Sequence, residues 1–552
     1  MFGPLKALIF ATAALAVPLD FGIVFGPGSD NLPVLNLPYA SYKAYSYDVS
    51  DDYYVFKNIR FAAPPTGERR WKKPEPPAQE TGVQDGHTGY QCNQALNALL
   101  SFGYPILQNL EPASEDCLFL DIQVPGKAVR GEVKNLPVLF WIFGGGYVLG
   151  SKSFFLYDGA PFLKSADNNV IWVAPNYRLG AFGFLNGPTM EKDATPNVAF
   201  HDQRAALQWV QDYIHHLGGD KNTVTAMGES AGAGSIMHHL VAKGGTQDPL
   251  FKRAIMMSPA FEPRWSPVQA EDQFKQFEKL AGCEGKGLAC LRTVPEDILQ
   301  TANNNITSSA QYGTFGFGPG VDNDYIRDLP NIEMTRGNYW KDVSVIVSHT
   351  GNEGYLFANP TIVNDKGANE LIDLNFPNAT TAARAEMQKL YPSPGLFSRF
   401  NTQFARISEL IGHWVVNCNV RAIAQAYAGK TWAYTFSIPP GIHGTDLIFA
   451  FWRTDLNLYD ILQIDLDINF ITQKNYATGF QSYLTSFARS GDPNKYRERL
   501  GVPPTIDMPL AKVGNQVKVL DMTLTGFKST DDDDTAKPQC DFWFKDTWTG
   551  RS

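Results

Sequence analysis

The stretch Thr223-Val224-Thr225-Ala226-Met227-Gly228-Glu229-Ser230-Ala231-Gly232 decides the fold. Its first five residues, apolar and β-branched, read as a short buried strand. Its last five match G-x-S-x-G, the pattern of a sharp strand-to-helix turn that leaves a serine hydroxyl exposed at the top of a sheet. The glycines flanking Ser230 answer a steric need, since a bulky side chain would strike neighbouring backbone in so tight a turn. Ser235-Ile236-Met237 and Leu240-Val241 follow at helical spacing. Five letters prove little alone. Strand, turn and helix in this order make Ser230 the candidate nucleophile.

A serine hydroxyl attacks poorly until a base removes its proton, so Ser230 requires a histidine and an acid to orient it. Among nine histidines, His443 stands in Gly441-Ile442-His443-Gly444-Thr445-Asp446, just after an expected strand and a Pro-Pro turn. A loop at a strand's C-terminal end is where an α/β sheet places functional groups. The acid should fall between serine and histidine, and Glu353, following the apolar run at 343–347, meets that condition. The order Ser-acid-His is that of the α/β-hydrolase fold. Gly144-Gly145-Gly146 ends the run Val138-Leu139-Phe140-Trp141-Ile142-Phe143. Its backbone N–H groups, with that of Ala231, are candidate donors to a tetrahedral oxyanion; losing one such donor costs about 3–4 kcal/mol.

Around this centre, apolar β-rich runs alternate with helical patterns, as in a large, mainly parallel sheet flanked by helices. Further strands are expected at 170–174, 343–347 and 432–436, and an amphipathic helix at 203–215 carrying Ala206, Trp209, Val210 and Tyr213 on one stripe. There is no linker rich in Gly, Ser or Pro and no internal repeat. The expectation is one domain over 17–552 with long insertions.

At 552 residues and 44% apolar, the chain can bury a sizeable core; its formal charge of −9, without a basic stripe, argues against nucleic acid and against an anionic membrane surface. Asp531-Asp532-Asp533-Asp534 reads as a solvated surface loop with no metal site. The basic start Met1–Lys6, the apolar run Ala7–Leu15 and Ala14-Leu15-Ala16 read as a secretory signal peptide over 1–16, too short to span a bilayer. The mature chain is expected outside the cell, with no integral membrane segment. Six cysteines (Cys92, Cys117, Cys283, Cys290, Cys418 and Cys540) fit disulfides in that compartment, with fifteen pairings open. Asn305 and Asn378 head glycosylation sequons.

Taken together, Asn58-Ile59-Arg60-Phe61-Ala62, Glu115-Asp116-Cys117-Leu118-Phe119-Leu120, Asn176-Tyr177-Arg178-Leu179-Gly180, Gly218-Gly219-Asp220 and the Ser230 motif resemble the type-B carboxylesterases. That family includes cholinesterases, fungal lipases and neuroligins, and the likeness, greatest to fungal secreted members, extends over nearly the whole mature chain. The resemblance implies Ser230 as nucleophile, Glu353 as acid, His443 as base, and Gly145, Gly146 and Ala231 as oxyanion donors. It also implies the pairs Cys92–Cys117, Cys283–Cys290 and Cys418–Cys540; the last closes the longest loop, on the order of 4–5 kcal/mol of constraint. Two departures stand out: Phe143 where many esterases have histidine, and Phe200-His201 where a small or aliphatic pair is commoner.

The implied reaction is hydrolysis of a small-molecule carboxylic ester through an acyl-enzyme, without metal or organic cofactor. Glu229 and Trp265 are candidate substrate-pocket residues. No tryptophan lies between Cys92 and Cys117, which disfavours choline esters. That loop instead carries eight apolar or aromatic side chains, including Leu96, Phe102 and Leu110, which would suit a lipase lid. An interfacial lipase, an acyltransferase of secondary metabolism and a non-catalytic neuroligin-like binding protein are the alternatives. The last usually lacks the serine retained here. The sequence leaves the oligomeric state open.

Overall fold

The computed structural model describes residues 22–25, 32–96, 112–261, 266–453, 470–500 and 503–548. The signal-peptide segment 1–16, most of the Cys92–Cys117 loop and Trp265 lie outside the described residues.

Fifteen strands are described: β1 (Gly22–Phe25), β2 (Pro33–Asn36), β3 (Ser41–Lys43), β4 (Ser46–Asp48), β5 (Tyr53–Arg60), β6 (Val83–Gln84), β7 (Phe119–Pro125), β8 (Leu136–Ile142), β9 (Ile171–Pro175), β10 (Gly219–Glu229), β11 (Arg253–Met257), β12 (Ser344–Thr350), β13 (Thr431–Phe436), β14 (Val517–Thr523) and β15 (Gly526–Asp532). Eleven form one sheet in the order β15-β14-β13-β12-β11-β10-β8-β9-β7-β5-β4, and β1, β2, β3 and β6 form a small second one. From β9 across to β14 every pairing is parallel, and antiparallel strands close both edges. The central strands read as unbroken apolar runs because helices cover both faces; every residue of β9 is buried.

Register explains why so much chemistry meets at one end. Gly228 pairs with Ile142, Glu229 with Met257, Met257 with Ser348 and Thr350 with Phe436. The residues following these strands therefore emerge side by side. They are the Gly144 triplet, Ser230, Ser258, Glu353 and the loop bearing His443.

The helix expected at 203–215 spans Val198–Tyr213. It starts earlier because Val198, Ala199 and Phe200 are buried as well. Aromatic packing accounts for Phe200. Its ring stacks on His238 at 5.0 Å, meets Phe184 edge-on at 5.5 Å and fills an aromatic pocket completed by Tyr147 and Tyr325. Three disulfides join Cys92 to Cys117, Cys283 to Cys290 and Cys418 to Cys540.

The reading of 531–534 as a solvated loop is corrected. Asp532 ends β15 with its carboxylate buried, 2.7 Å from Nε2 of the fully buried His349. Burial would neutralise this imidazole, but Asp532 outweighs it and holds the ring cationic, near a pKa of about 10. A buried cation requires such a partner, which is why Asp532 turns inward, with Asp534 also within 4.8 Å of the imidazole. Among the described residues, no helix is long and apolar enough to cross a membrane.

Candidate active site

Ser230 links β10 to the helix Ala231–Gly245 with φ 54° and ψ −125°, a strained conformation for a side-chain-bearing residue. Neighbouring backbone holds it there. The Ser230 N–H donates to Met257 O at 2.9 Å, and its carbonyl accepts from the N–H groups of Gly234 and Ala260 at 2.8 and 3.1 Å. A Cβ on Gly232 would lie 2.0 Å from Ile142 O. The turn exists only with glycine at that site.

His443 Nε2 lies 2.8 Å from Ser230 Oγ. On the other side of the ring, Nδ1 is hydrogen-bonded to Glu353 Oε2. The two loops that carry acid and base are tied together, since Asn352 N–H donates to Gly441 O at 2.8 Å and Asn352 Nδ2 to Pro440 O at 2.9 Å. Glu353 Oε1 accepts from Ser258 Oγ at 2.6 Å and from Thr350 N–H at 2.5 Å. The Phe357 ring meets the imidazole edge-on at 5.1 Å and limits its movement.

Burial opposes charge on every member of this cluster. For Glu353 it is outweighed by His443, Ser258 and the Thr350 N–H, which hold the carboxyl below its usual range. For His443 it is outweighed by Glu353 and then Glu229, so the imidazole is raised. Glu229 Oε1 makes no hydrogen bond among the described residues and lies 3.4 Å from His443 Nε2. Burial pushes Glu229 up to about 8, His443 pulling against it. A third buried carboxyl, Asp446, accepts from Tyr434 at 2.9 Å and is pushed by burial to about 6. The surroundings thus favour positive charge on His443.

Gly145 and Gly146 take φ values of 114° and 60°, and a Cβ on Gly146 would fall 2.3 Å from the Phe315 ring. Among the described residues, no acceptor takes the N–H of Gly145, Gly146 or Ala231; the last belongs to the first helical turn, where N–H groups lack intrahelical partners. Phe143, the departure from the usual histidine, is buried and stacks on Tyr177 at 4.4 Å, while Tyr177 Oη donates to Phe143 O at 2.7 Å. That contact fixes the backbone entering the triplet.

An open cavity begins at Ser230, Ala231 and Gly146. Its walls are apolar: Phe261, Phe315, Phe357, Leu371, Ile411 and Trp414. The structure therefore brings together Ser230, His443, Glu353, Glu229, Gly145, Gly146 and Ala231. Trp265 falls outside the described residues. Asn305 and Asn378 are both exposed, on a helix and in a turn. The sequence reading missed Ser258, Asp446 and the aromatic cavity walls. For Ser258 a signal existed, since it directly follows a parallel strand, where functional groups collect.

The geometry has close counterparts. The model of the carboxylesterase family matches residues 41–543. A secreted lipase of Arthroderma benhamiae is 37% identical over 535 residues, covering 94% of this chain and 93% of that protein. Carboxylesterase patB of Aspergillus clavatus is 31% identical, covering 93% of this chain and 96% of that protein. The crystal structure of Aspergillus niger EstA superposes with a TM-score of 0.78 at 26% identity, covering 93% of this chain and 98% of that one. By sequence and by architecture, the chain belongs to the carboxylesterase family.

Proposed function

We propose that Ser230 attacks the carbonyl carbon of a carboxylic ester, with His443 Nε2 taking the hydroxyl proton and Glu353 holding the ring. The observation that carries this reading is the unbroken Ser230–His443–Glu353 relay beneath an apolar cavity. The N–H groups of Gly145, Gly146 and Ala231 stabilise the tetrahedral oxyanion. His443 returns its proton to the departing alcohol, leaving an acyl-enzyme; it then activates water, which hydrolyses that ester and frees Ser230. The protein is a secreted serine ester hydrolase, and residues 17–552 act as one catalytic unit. The single sheet running from Ser46 to Asp532 supports that unit. Three disulfides and a secreted relative support the location.

The cavity also supports a reading of where the two halves of the substrate sit. The leaving oxygen receives its proton from His443 and so sits beside Nε2. The cavity opens from Ser230 and Ala231, and His443 is not in its wall. It therefore takes the acyl group. Tyr312 and Thr314 on its wall already donate to Leu356 O and Gln311 O. An uncharged, apolar acyl group is favoured. Hydrolysis of nitrophenyl esters from acetate to palmitate tests this reading, with kcat/KM expected to rise from acetate to hexanoate by about tenfold or more, as each buried methylene contributes about 0.8 kcal/mol. An optimum at acetate would overturn the acyl assignment, and inactivity of folded protein on the whole series would overturn the hydrolase.

Glu229 gives a second check. Above about pH 8, where Glu229 is ionised, replacing it with glutamine removes an anion that favours imidazolium, so the His443 pKa falls. The neutral base then persists to lower pH, and the acidic limb of the kcat/KM profile moves down. An unmoved limb would show that Glu229 does not act on His443.

A further inference from the structure

The turn Gly395-Leu396-Phe397-Ser398 inverts ordinary turn chemistry. Ser398 N–H donates to Gly395 O at 3.0 Å, making Leu396 and Phe397 its two central residues. Such positions favour proline, asparagine, aspartate, glycine or serine. Here they hold side chains that are 92% and 98% exposed, the most exposed large apolar residues among those described. Isolated apolar residues on a surface are ordinary, but two together at a tip mark an interaction site.

Both feet of the turn are clamped. On one side, Ser393 Oγ donates to Asp365 Oδ1 at 2.7 Å, where Gln403 and Arg406 also converge at 2.6 and 2.9 Å. On the other, Arg399 donates to Leu390 O at 3.0 Å and pairs with Glu409 at 2.5 Å. These bonds hold the tip against the helices Asp365–Asn375 and Gln403–Gly412. The same helices wall the cavity over Ser230, through Leu371 and Asn375 of the first and Ile411 of the second. Val363, 75% exposed, lies two residues before the first helix, and Tyr355, 52% exposed, meets Phe404 of the second edge-on at 4.9 Å. Nearby charges are balanced, with Lys366 facing Glu370 at 3.8 Å and Arg399 facing Glu409.

We propose that Leu396 and Phe397 are a wedge that seats the enzyme on the surface of a neutral acylglycerol droplet. This rests on the ester-hydrolase reading and names the physical form of the substrate. Three features select that occupant. A fluid phase accepts two protruding side chains without a matching pocket, whereas a protein partner would have to supply one. The balanced charge suits a neutral surface. The helices carrying the wedge also border the acyl cavity, so the turn and the cavity belong to one packed unit.

The test is flotation of Ser230→Ala protein, which cannot consume the probe, with trioctanoylglycerol droplets stabilised by gum arabic. The protein is expected to float, and adding Leu396→Ser and Phe397→Ser is expected to lower its partitioning about tenfold or more. The same pair placed in the active enzyme should leave hydrolysis of dissolved nitrophenyl butyrate at its normal rate, which certifies the fold. Equal flotation with and without the pair, or no flotation of either, overturns the proposal. So does concentration-dependent self-association that the pair abolishes, since the tip would then bind a second copy. Flotation that depends on the tip, in a protein inactive on every nitrophenyl ester, would uphold the docking surface while overturning the hydrolase reading.

Discussion

Ser230→Ala is expected to lower kcat on nitrophenyl butyrate about a millionfold. The oxygen removed is the one 2.8 Å from His443 Nε2, and no described group can replace it as nucleophile in that position. The fold should survive. Alanine is no worse than serine at φ 54°, and the bonds that hold this turn come from Ser230 backbone atoms. Thermal unfolding is therefore expected to shift little, which separates loss of chemistry from loss of structure. Because Ser230 and His443 act as one unit, His443→Ala should cost about as much, and the double variant little more than either. Residual activity within a hundredfold of the native enzyme would mean that another group makes the acyl-enzyme. Additive losses in the double variant would mean that the two side chains contribute independently, against the relay.

Why so much of this site was legible in the chain follows from what its parts demand. The elbow needs residues without side chains where backbones nearly touch, and Gly228 and Gly232 record that demand directly; a Cβ on the second would sit 2.0 Å from Ile142 O. Strands covered on both faces must be apolar throughout, so β8, β9 and β12 announced themselves, with ends off by one to three residues. The rest depends on register. Ser258 reaches Glu353, 95 residues away, only because β11 pairs with β12 and leaves both at the C-terminal end of the strands. The acyl cavity draws its walls from segments as distant as Phe261 and Trp414, whose aromatic character alone names no partner. Asp532 was misjudged for a related reason. Its local run is acidic and looks solvated, while the buried imidazole that turns it inward lies 183 residues earlier.

The second large effect is expected from Glu353→Gln, a change of one atom that should lower kcat about 10⁴-fold with little change in KM. Its size follows from hydrogen-bond direction. Glu353 Oε1 faces two donors, the Ser258 hydroxyl at 2.6 Å and the Thr350 N–H at 2.5 Å. The hydroxyl can rotate, but the backbone N–H cannot. A glutamine must therefore turn its oxygen toward Thr350, which points its NH₂ at His443 Nδ1. That nitrogen then has to accept, and the ring proton moves to Nε2, where it faces Ser230 Oγ. The base is left in the tautomer that cannot take the serine proton. The neutral amide also withdraws the charge that favours imidazolium in the transition state. Two further variants discriminate this account from simple loss of packing. Glu353→Asp keeps the charge and should retain more activity than the isosteric glutamine. Ser258→Ala combined with Glu353→Gln leaves the Thr350 donor in place, so the wrong tautomer should persist and activity should not recover. Activity of the Glu353→Gln enzyme within tenfold of the native one, with unfolding unchanged, would mean that Glu353 does not set the His443 proton.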